Sequence, residues 1–600
     1  MTKIPENFTP GIHNDNYENE YLQPRLDASH LVNITGRIKE SLNGKWNFAA
    51  DLYDTCRRQG WFRQERLNAE GREIPLDFDW ESFEPITVPS CWNLQKPELY
   101  YFEGFGVYTR TFRYIPKEKD ERLLLYFEGA SYRTTVFING KIIGTHDGAS
   151  TPFNADITDI LKEDNRIVVS VDARRSPYRL PMENTDWFNY GGIYRDIFLV
   201  RLPPVYIKDW FVRLKPEDNS MALIDVNISR AGFDKDDISG KVNMEIPELG
   251  IHQEIDVQKG KGKIQVSIQP QLWSPENPKL YDVSFTFNSG SCIDKVNDRI
   301  GFRTITTKGQ EIHLNGKKIF LKGICVHEDH FKFGKTTNEE IIRAVIRDLK
   351  DMNGNYLRLA HYPHDPRFAR IADEEGILLW EEIPVYWAVA FYNPDTYSDA
   401  ENQLTELILR DRNRASVIIW SIGNENADTD SRLEFMSSLA KKAKELDNSR
   451  LVSAACLIKH DKLIIEDRLE EFLDVIGINE YYGWYDPDFN KLPKVLNNSN
   501  PDKPVLVCEF GGDARLGHRG TIDELWTEDK QKHIYEQQVI TFKKCPYIAG
   551  VTPWILYDFR CPRRFNRYQE GFNRKGLIDV DRITKKPAYY VMRDFYSDYK

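Results

Sequence analysis

Two carboxylates stand at the ends of two strongly apolar segments of this 600-residue sequence. The run 417–423 is followed by Asn424 and Glu425, and the run 504–508 is followed by Glu509. Apolar, β-branched runs of this length predict strands buried on both faces, as in a parallel sheet. Carboxylates at the carboxyl ends of such strands meet at one mouth of a barrel, where an acid and an anion together can cleave a glycosidic bond.

Other carboxylates and plainer interpretations compete with this pair. Either glutamate alone could form a structural salt bridge in the barrel mouth. Glu381 and Glu382 also end an apolar run, but after Trp380 they are better interpreted as structural, hydrogen-bonded to neighbouring strands. The distance between Glu425 and Glu509 does not follow from the sequence: about 5–5.5 Å would imply retention of configuration and roughly 6.5–9.5 Å inversion.

Strand and helix patterns alternate from residue 303 to the end of the chain. Helical patterns such as 338–352, 399–412 and 431–446 separate eight candidate strands, at 318–325, 355–360, 377–383, 417–424, 451–456, 475–480, 504–509 and 548–556. Eight such units predict a (β/α)₈ TIM barrel over 303–600. A doubly wound open sheet is the alternative, which we disfavour because no glycine-rich phosphate turn follows the first strand.

Polar residues follow nearly every one of these strands at the same end. They are His327, His361, Tyr362, Glu381, Glu382, Asn424, Glu425, the segment 479–485, Glu509 and the segment 554–560. In a barrel these positions converge on one mouth, so the sequence predicts one site there.

The first half of the chain predicts two β-sandwiches. The first covers residues 1–203, with a polar, irregular arm over 1–40 and short alternating strands from about residue 42, and Asn139-Gly140 between two of these strands predicts a hairpin. Pro203-Pro204 marks a boundary, and 204–302 resembles an immunoglobulin-like sandwich in length and alternation. A single larger sandwich is the alternative.

Composition limits the partners and the compartment. The net charge of −11 argues against nucleic acid or an anionic membrane as a partner. The eight cysteines form no zinc signature and no disulfide framework, so we expect neither a metal nor a cofactor. The N-terminal residues contain no apolar signal segment and no run approaches membrane-span length, so we expect a cytoplasmic protein unless a precursor was trimmed.

The ordered set of motifs closely resembles glycoside hydrolase family 2, the β-galactosidase/β-glucuronidase family. The matching segments are Asn189–Arg195, Gly323–Asp329, His361–Pro363, Trp420–Glu425 and Cys508–Gly511. The resemblance extends from about residue 42 to the C-terminus. It implies a jelly-roll sugar-binding-like sandwich, an immunoglobulin-like sandwich and a barrel, and assembly as a dimer or tetramer.

The resemblance also implies a role for each site residue. Glu425 would be the general acid/base and Glu509 the nucleophile of a retaining double displacement. Asn424 would bind the sugar 2-hydroxyl, Tyr485 would orient Glu509, and Trp554 would form the floor under the sugar. Further substrate-binding residues would be His327 and Asp186, which would bind ring hydroxyls, and Tyr481; Asp186 comes from a loop of the first sandwich.

A basic segment near the C-terminus indicates an acidic substrate. Resemblance to β-glucuronidases implies that Asn573 and Lys575 grip a C6 carboxylate, and an ammonium in a partly dehydrated pocket suits an anion. Arg560, Arg563, Arg564, Arg567 and Arg574 add positive charge; a solvated basic rim is the alternative for the outer ones. Residues 383–403 leave no room for the long active-site loop that some gut-bacterial glucuronidases of the family insert here, so the resemblance implies a more open pocket that admits larger aglycones, including oligosaccharides.

The function predicted from the sequence is a retaining exo-β-glucuronidase. A β-galactosidase or β-galacturonidase on the same scaffold is the alternative within enzymes. A catalytically silent carbohydrate-binding protein is a third hypothesis, which the presence of both Glu425 and Glu509 argues against.

Overall fold

A computed structural model describes residues 24–599, except for 64–69, 74, 76–77, 119, 217, 231–237 and 291–292. The N-terminal residues on which the signal-peptide prediction depends lie outside the described residues. The chain divides into two compact units. The first contains residues 24–30, Ile38–Arg174 and Tyr190–Pro204, and the second contains Leu31–Arg37, Arg175–Asn189 and residues 205–599.

The first unit is a β-sandwich with a short helix, α1 (Thr55–Arg58). Its described strands are β1 (Lys39–Ser41), β2 (Gly44–Asp51), β3 (Pro85–Val88), β4 (Phe105–Arg113), β5 (Arg122–Phe127), β6 (Arg133–Ile138), β7 (Lys141–Asp147), β8 (Phe153–Asp156), β9 (Asp164–Asp172) and β10 (Ile197–Leu202). They pair as a sheet β1-β10-β5-β8 and a sheet β3-β2-β4-β9-β6-β7. The predicted hairpin is confirmed, since Asn139 and Gly140, both with positive φ, join β6 to β7.

The second unit begins with an immunoglobulin-like sandwich. Its strands are β11 (Val205–Lys215), β12 (Asp218–Arg230), β13 (Gly240–Ile246), β14 (Ile251–Gln258), β15 (Lys261–Ser267), β16 (Tyr281–Asn288) and β17 (Ile293–Ile300), paired in the order β11-β12-β15-β14-β13-β16-β17. The ring of Trp210 on β11 packs against the ring of Phe285 on β16 in the core, with centroids 5.2 Å apart. The first strand of this order therefore contacts the sixth. The alternative of one larger sandwich is wrong, because these strands share no sheet with the first unit.

A closed parallel barrel forms the rest of the second unit. Its eight strands are β21 (Leu321–Val326), β22 (Tyr356–Leu359), β23 (Leu378–Glu382), β24 (Val417–Asn424), β25 (Leu451–Cys456), β28 (Val475–Asn479), β29 (Val505–Glu509) and β30 (Ile548–Val551). A small sheet of β18 (Ile305–Lys308), β19 (Glu311–Leu314) and β20 (Lys317–Ile319) precedes them, and two short hairpins consist of β26 (Ile458–Lys459) with β27 (Ile464–Ile465) and β31 (Phe559–Arg560) with β32 (Phe572–Asn573). Pairing of β30 with β21 closes the barrel and excludes the open sheet.

Helices cover most of the connections between the barrel strands. They are α2 (Glu339–Asp351), α3 (Arg367–Glu375), α4 (Pro394–Asp411), α5 (Asp430–Leu446), α6 (Lys491–Asn498), α7 (Glu528–Phe542) and α8 (Pro587–Asp598). Asn338 caps α2 as predicted, because its side chain accepts from the Ile341 N–H. Residues 457–474, all of them described, form a hairpin and a 3₁₀ turn where a regular βα unit would have an α-helix.

The strand ends place the candidate site within one compact unit. Asn424 ends β24, Glu509 ends β29 and Asn479 ends β28, as the sequence predicts. The segment Arg175–Asn189 lies between β9 and β10 in sequence but belongs to the second unit, so Asp186 lies with the barrel. Within the described residues, no helix is both long enough and apolar enough to cross a lipid bilayer.

Candidate active site

A fully buried arginine on β22 lies at the centre of the strand ends. Arg358 Nη1 donates to Glu509 Oε1 at 2.7 Å, and Nη2 donates to Asn424 Oδ1 at 2.8 Å. Nη2 also donates to the two oxygens of Glu382, at 3.1 and 3.2 Å. One guanidinium therefore connects the carboxyl ends of β22, β23, β24 and β29.

The two rival glutamates have the structural role that the sequence suggests. Burial alone would raise the pKa of Glu382, but the positive charge of Arg358 and a hydrogen bond donated by His361 lower it to about 2. Glu382 is therefore a buried anion that holds Arg358. Glu381 is buried beside Asp411, and burial together with that neighbouring carboxylate raises its pKa well above the ordinary value.

Both oxygens of Glu509 have fixed donors. Arg358 contacts Oε1, and the Tyr481 hydroxyl donates to Oε2 at 2.7 Å. The prediction that Tyr485 orients Glu509 is wrong: the Tyr485 hydroxyl accepts from Lys575 Nζ at 3.0 Å. Both tyrosines lie in one loop after β28, four residues apart, and the inner one reaches the carboxylate.

Glu425 has the opposite electrostatic surroundings. Burial and the neighbouring charge of Glu509 raise its pKa, and hydrogen bonds from Trp387 and Asn479 oppose that rise. Trp387 Nε1 donates to Glu425 Oε2 at 2.8 Å. A carboxyl with a raised pKa next to a carboxylate held by an arginine is the arrangement in which one group can donate a proton and the other can attack.

Three of the predicted sugar-contacting residues line the same space. Trp554 stacks on His361, with ring centroids 4.9 Å apart, and meets His327 edge-on at 5.2 Å. His327 Nδ1 shares a 3.0 Å hydrogen bond with the Tyr362 hydroxyl, and burial, followed by nearby positive groups, lowers its pKa well below the ordinary value. His327 Nε2 and Asn424 Nδ2 are buried and bond no described residue.

Asp186 and Asn573 bond each other within this site. Asn573 Nδ2 donates to Asp186 Oδ2 at 3.3 Å. Arg564 donates to the same carboxylate from Nη2 at 2.5 Å and from Nε at 3.2 Å. The Asn573 Oδ1 accepts from the Lys575 backbone N–H at 3.1 Å, which sets the geometry of the Asn-x-Lys turn.

Lys575 is almost fully buried and already has a carboxylate partner. Its Nζ donates to Asp513 Oδ2 at 2.5 Å and to the Tyr485 hydroxyl. Burial alone would lower the pKa of Lys575, but the charge of Asp513 raises it, so the ammonium stays charged. Asp513 also accepts from Gln569 Nε2 at 2.9 Å. Sequence analysis missed Asp513, although it lies only four residues after Glu509, in the loop that follows β29.

Carboxylates elsewhere neutralise most of the basic segment 560–575. Four of its cations have a carboxylate within 3.4 Å: Arg560 pairs with Asp329 at 2.9 Å, Arg564 with Asp186, Arg574 with Asp558 and Asp579 at 3.4 Å each, and Lys575 with Asp513. The solvated-rim interpretation therefore fails for Arg560, Arg564 and Arg574, whereas the Arg563 side chain is 46% exposed.

The second residue that sequence analysis missed is Arg358. A single charged residue inside the apolar run Tyr356–Leu359 was the available signal, because a buried arginine requires partners. Within the described part of the chain, no group of three or more His, Cys, Asp or Glu residues is arranged to hold a metal ion.

Comparison with known proteins covers almost the whole chain. Residues 39–203 match the sugar binding domain of glycosyl hydrolases family 2, residues 205–303 match a further family 2 model, and residues 305–600 match the family 2 TIM barrel domain. A beta-glucuronidase from Paenibacillus borealis is 27% identical over 92% of this chain and 96% of its own length.

Two solved structures are similar over their full length. The GH2 beta-galacturonidase from Eisenbergiella tayi bound to galacturonate is 27% identical with a TM-score of 0.81, covering 94% of this chain and 98% of that one. The Ruminococcus gnavus beta-glucuronidase is 25% identical with a TM-score of 0.82, covering 95% of this chain and 100% of that one. The chain therefore belongs to glycosyl hydrolase family 2 and is a glycoside hydrolase.

Proposed function

We propose that this enzyme is a retaining exo-β-glucuronidase, with Glu425 as acid/base and Glu509 as nucleophile. The observation that carries the substrate class is the position of Lys575. Its Nζ lies 5.6 Å from the Tyr481 ring, and the Tyr481 hydroxyl bonds Glu509. A charged ammonium thus lies one aromatic ring away from the nucleophile, where the far end of a single sugar ring would be.

The first chemical step uses the two carboxyl groups in opposite states. Glu425 donates its proton to the glycosidic oxygen while a Glu509 oxygen attacks C1, and the bond from C1 to the aglycone breaks. The aglycone leaves as an alcohol, and a covalent glycosyl-enzyme remains. The donors on Glu509, Arg358 and Tyr481, keep its oxygens oriented toward the sugar.

The second step reverses the roles. Glu425, now a carboxylate, takes a proton from water while the water oxygen bonds C1 and the bond to Glu509 breaks. Asn424 supports both steps, because its Oδ1 accepts from Arg358 and from Asn479, which leaves the Nδ2 donor for the sugar 2-hydroxyl. Two displacements at C1 restore the original configuration.

Recognition of the C6 carboxylate depends on donors rather than on a broad positive field. The Lys575 ammonium has three N–H bonds, of which Asp513 and Tyr485 take two. The third can reach a substrate carboxylate, and a charge-assisted hydrogen bond in a buried site discriminates strongly against a neutral hydroxymethyl group.

A β-galacturonidase is the second candidate. A galacturonide carries the same C6 carboxylate and differs from a glucuronide at C4 alone. The similarity to the Eisenbergiella tayi structure bound to galacturonate favours testing it. Side-by-side kinetics on the 4-nitrophenyl β-glucuronide, β-galacturonide and β-galactoside decide among the three activities.

Lys575→Ala should abolish the preference for a uronide over the galactoside. We expect the ratio of kcat/KM for the uronide to kcat/KM for the galactoside to fall about 30-fold. This corresponds to about 2 kcal/mol of transition-state free energy, the scale of a hydrogen bond to a charged group. The measurement is initial-rate kinetics of both variants on both substrates.

The matched control is Arg567→Ala, an exposed arginine in the same basic segment, which should leave the ratio unchanged. Because Lys575→Ala leaves Asp513 buried without its partner, the double variant Lys575→Met/Asp513→Asn provides a neutral pair if the single variant unfolds. A wild-type enzyme that prefers the galactoside would contradict the uronide assignment.

Retention of configuration has a direct test. ¹H NMR of the wild-type reaction with 4-nitrophenyl β-glucuronide should show the β-anomer of glucuronic acid first, before mutarotation. Release of the α-anomer first would mean a single displacement, and Glu509 would then act on a water molecule instead of on C1.

Tyr481→Phe and Tyr485→Phe should have different effects. Tyr481→Phe removes a donor from Glu509, so kcat should fall by about 10- to 100-fold on uronide and galactoside alike. Tyr485→Phe removes a partner of Lys575, so KM for the uronide should rise and the uronide preference should fall. If Tyr485→Phe lowered kcat equally on both substrates, Tyr485 and not Tyr481 would orient the nucleophile.

The pH profile should report on Glu425. Its pKa is raised, so the acid stays protonated to a higher pH than an ordinary glutamic acid, and kcat/KM should fall on the alkaline side as Glu425 ionises. Trp387→Phe removes a donor that stabilises the carboxylate, so the alkaline limb should move to higher pH. Trp526→Phe, which leaves Glu425 untouched, is the control, and a downward shift in Trp387→Phe would refute this assignment.

A further inference from the structure

Glu480 lies between two residues of the candidate site but faces away from it. The side chain of Asn479 bonds a residue of the site, and the Tyr481 hydroxyl donates to Glu509 Oε2 at 2.7 Å. Side chains alternate between the two faces of an extended chain, so the residue between these two points outward, toward the helices. Glu480 accordingly contacts Gln538 of α7.

Within the described residues, the buried Glu480 carboxyl has no cation as a partner. Its Oε2 accepts from the Tyr482 N–H at 3.0 Å and from Gln538 Nε2 at 3.3 Å. Glu480 is 1% exposed, and this burial raises its pKa to about 8, although the two hydrogen bonds oppose the rise. The group is therefore mostly a neutral acid at pH 7.

Two buried oxygens at this contact lack a donor. Glu480 Oε1 and Gln538 Oε1 bond no described residue. Both are acceptors while Glu480 is an anion, so neither can satisfy the other. A neutral carboxylic acid has an O–H donor, and a proton on Glu480 Oε1 supplies the missing bond: the acid donates to the amide oxygen while the amide donates to Oε2. Neither oxygen then bears the cost of a buried acceptor without a donor.

The same contact fixes the loop that carries Tyr481. Gln538 Nε2 also donates to the Tyr482 carbonyl at 2.9 Å, and the Glu480 N–H donates to the Glu509 carbonyl at 2.9 Å. Tyr481 therefore lies between two anchored residues. The position of its hydroxyl on the candidate nucleophile depends on both anchors.

We propose that Glu480 is a positioning residue for the reaction, which acts as a neutral acid paired with Gln538 by two hydrogen bonds and so holds Tyr481 on the nucleophile. This inference rests on the proposed function and deepens it, because it adds pH control of the same site. When Glu480 ionises, the O–H donor is lost and two acceptors remain together without it. The loop then loosens, and Tyr481 orients Glu509 less well.

Among the described residues, the other titratable groups that face Glu480 stay neutral over the pH range concerned. They are Tyr482 in the same loop and Tyr535 on α7. Burial raises the pKa of Tyr482 to about 12 and that of Tyr535 well above the ordinary value. A proton that leaves this contact between pH 7 and pH 9 therefore comes from Glu480.

The pH dependence of kcat/KM on 2,4-dinitrophenyl β-glucuronide tests this role. Departure of that leaving group needs little help from an acid, so ionisation of Glu425 has little effect on it. With a pKa of about 8 and the about 10- to 100-fold loss expected without the Tyr481 bond, the wild-type value should fall about 5- to 10-fold between pH 7 and pH 9. Glu480→Gln should show no such fall, because its amide offers Gln538 a donor and an acceptor at every pH.

Glu470→Gln is the matched control. Glu470 lies in the 3₁₀ turn before β28 and also has a raised pKa, and its replacement leaves the pair with Gln538 in place. Its profile should fall as that of wild type does. A wild-type profile that is flat from pH 7 to pH 9 would overturn the role of Glu480, and so would an equal fall in Glu480→Gln or a flat profile in Glu470→Gln.

Gln538→Leu provides a second variant that does not depend on the folding of Glu480→Gln. It removes the partner amide, so kcat/KM at pH 7 should already be as low as the wild-type value at pH 9, with no further fall. A Gln538→Leu variant with the wild-type value and the wild-type fall would contradict the pair.

Infrared difference spectra test the protonation state without any substrate. The spectrum of wild type minus Glu480→Gln at pH 6 should contain the carbonyl band of a protonated carboxylic acid, and its absence would overturn the proposal. If the enzyme hydrolyses only galactosides, the proposed function fails, and the same pH profiles on 2,4-dinitrophenyl β-galactoside still decide for or against the role of Glu480.

Discussion

The buried guanidinium of Arg358 is the constraint on which the rest of the site depends. A cation with no exposure inside the barrel requires anionic partners, because leaving such a charge unpaired costs several kcal/mol. Its partners are Glu382, Asn424 and Glu509, each at the carboxyl end of a different strand. One set of hydrogen bonds therefore connects the ends of these strands and orients the candidate nucleophile.

Charge in the mouth is compensated locally, which changes how an acidic sugar would be recognised. The sequence suggests a local positive field within a chain of net charge −11. In the structure Asp513 neutralises Lys575, and Asp186 neutralises Arg564. An acidic sugar would therefore meet oriented donors in a nearly neutral region. Selectivity would then arise from the geometry of short hydrogen bonds in a buried site. Salt screens such contacts much less than it screens the long-range field of exposed charges.

The sequence predicted most of the fold and the location of the site, because strand ends are local features. All four glutamates end apolar runs, and Glu425 and Glu509 ranked above Glu381 and Glu382 because the latter pair, after Trp380, is better interpreted as structural. Sequence analysis assigned Tyr485 instead of Tyr481 to the nucleophile, since loop spacing does not tell which side chain points inward. Only the family resemblance, and no local pattern, put Asp186 in the site: the loop that carries it leaves one sandwich, and its partner Arg564 is 378 residues away.

The backbone at the candidate acid has a cost that the remainder of the fold must cover. Glu425 and Trp387 both have positive φ, at 52° and 54°, in the left-handed region that non-glycine residues rarely adopt. Each such residue destabilises the folded chain by about 1–2 kcal/mol. Backbone preference alone would favour glycine or asparagine at both positions. An engineering campaign guided only by thermal stability would therefore tend to replace the candidate acid and the tryptophan that bonds it, and would gain stability at the expense of the proposed activity.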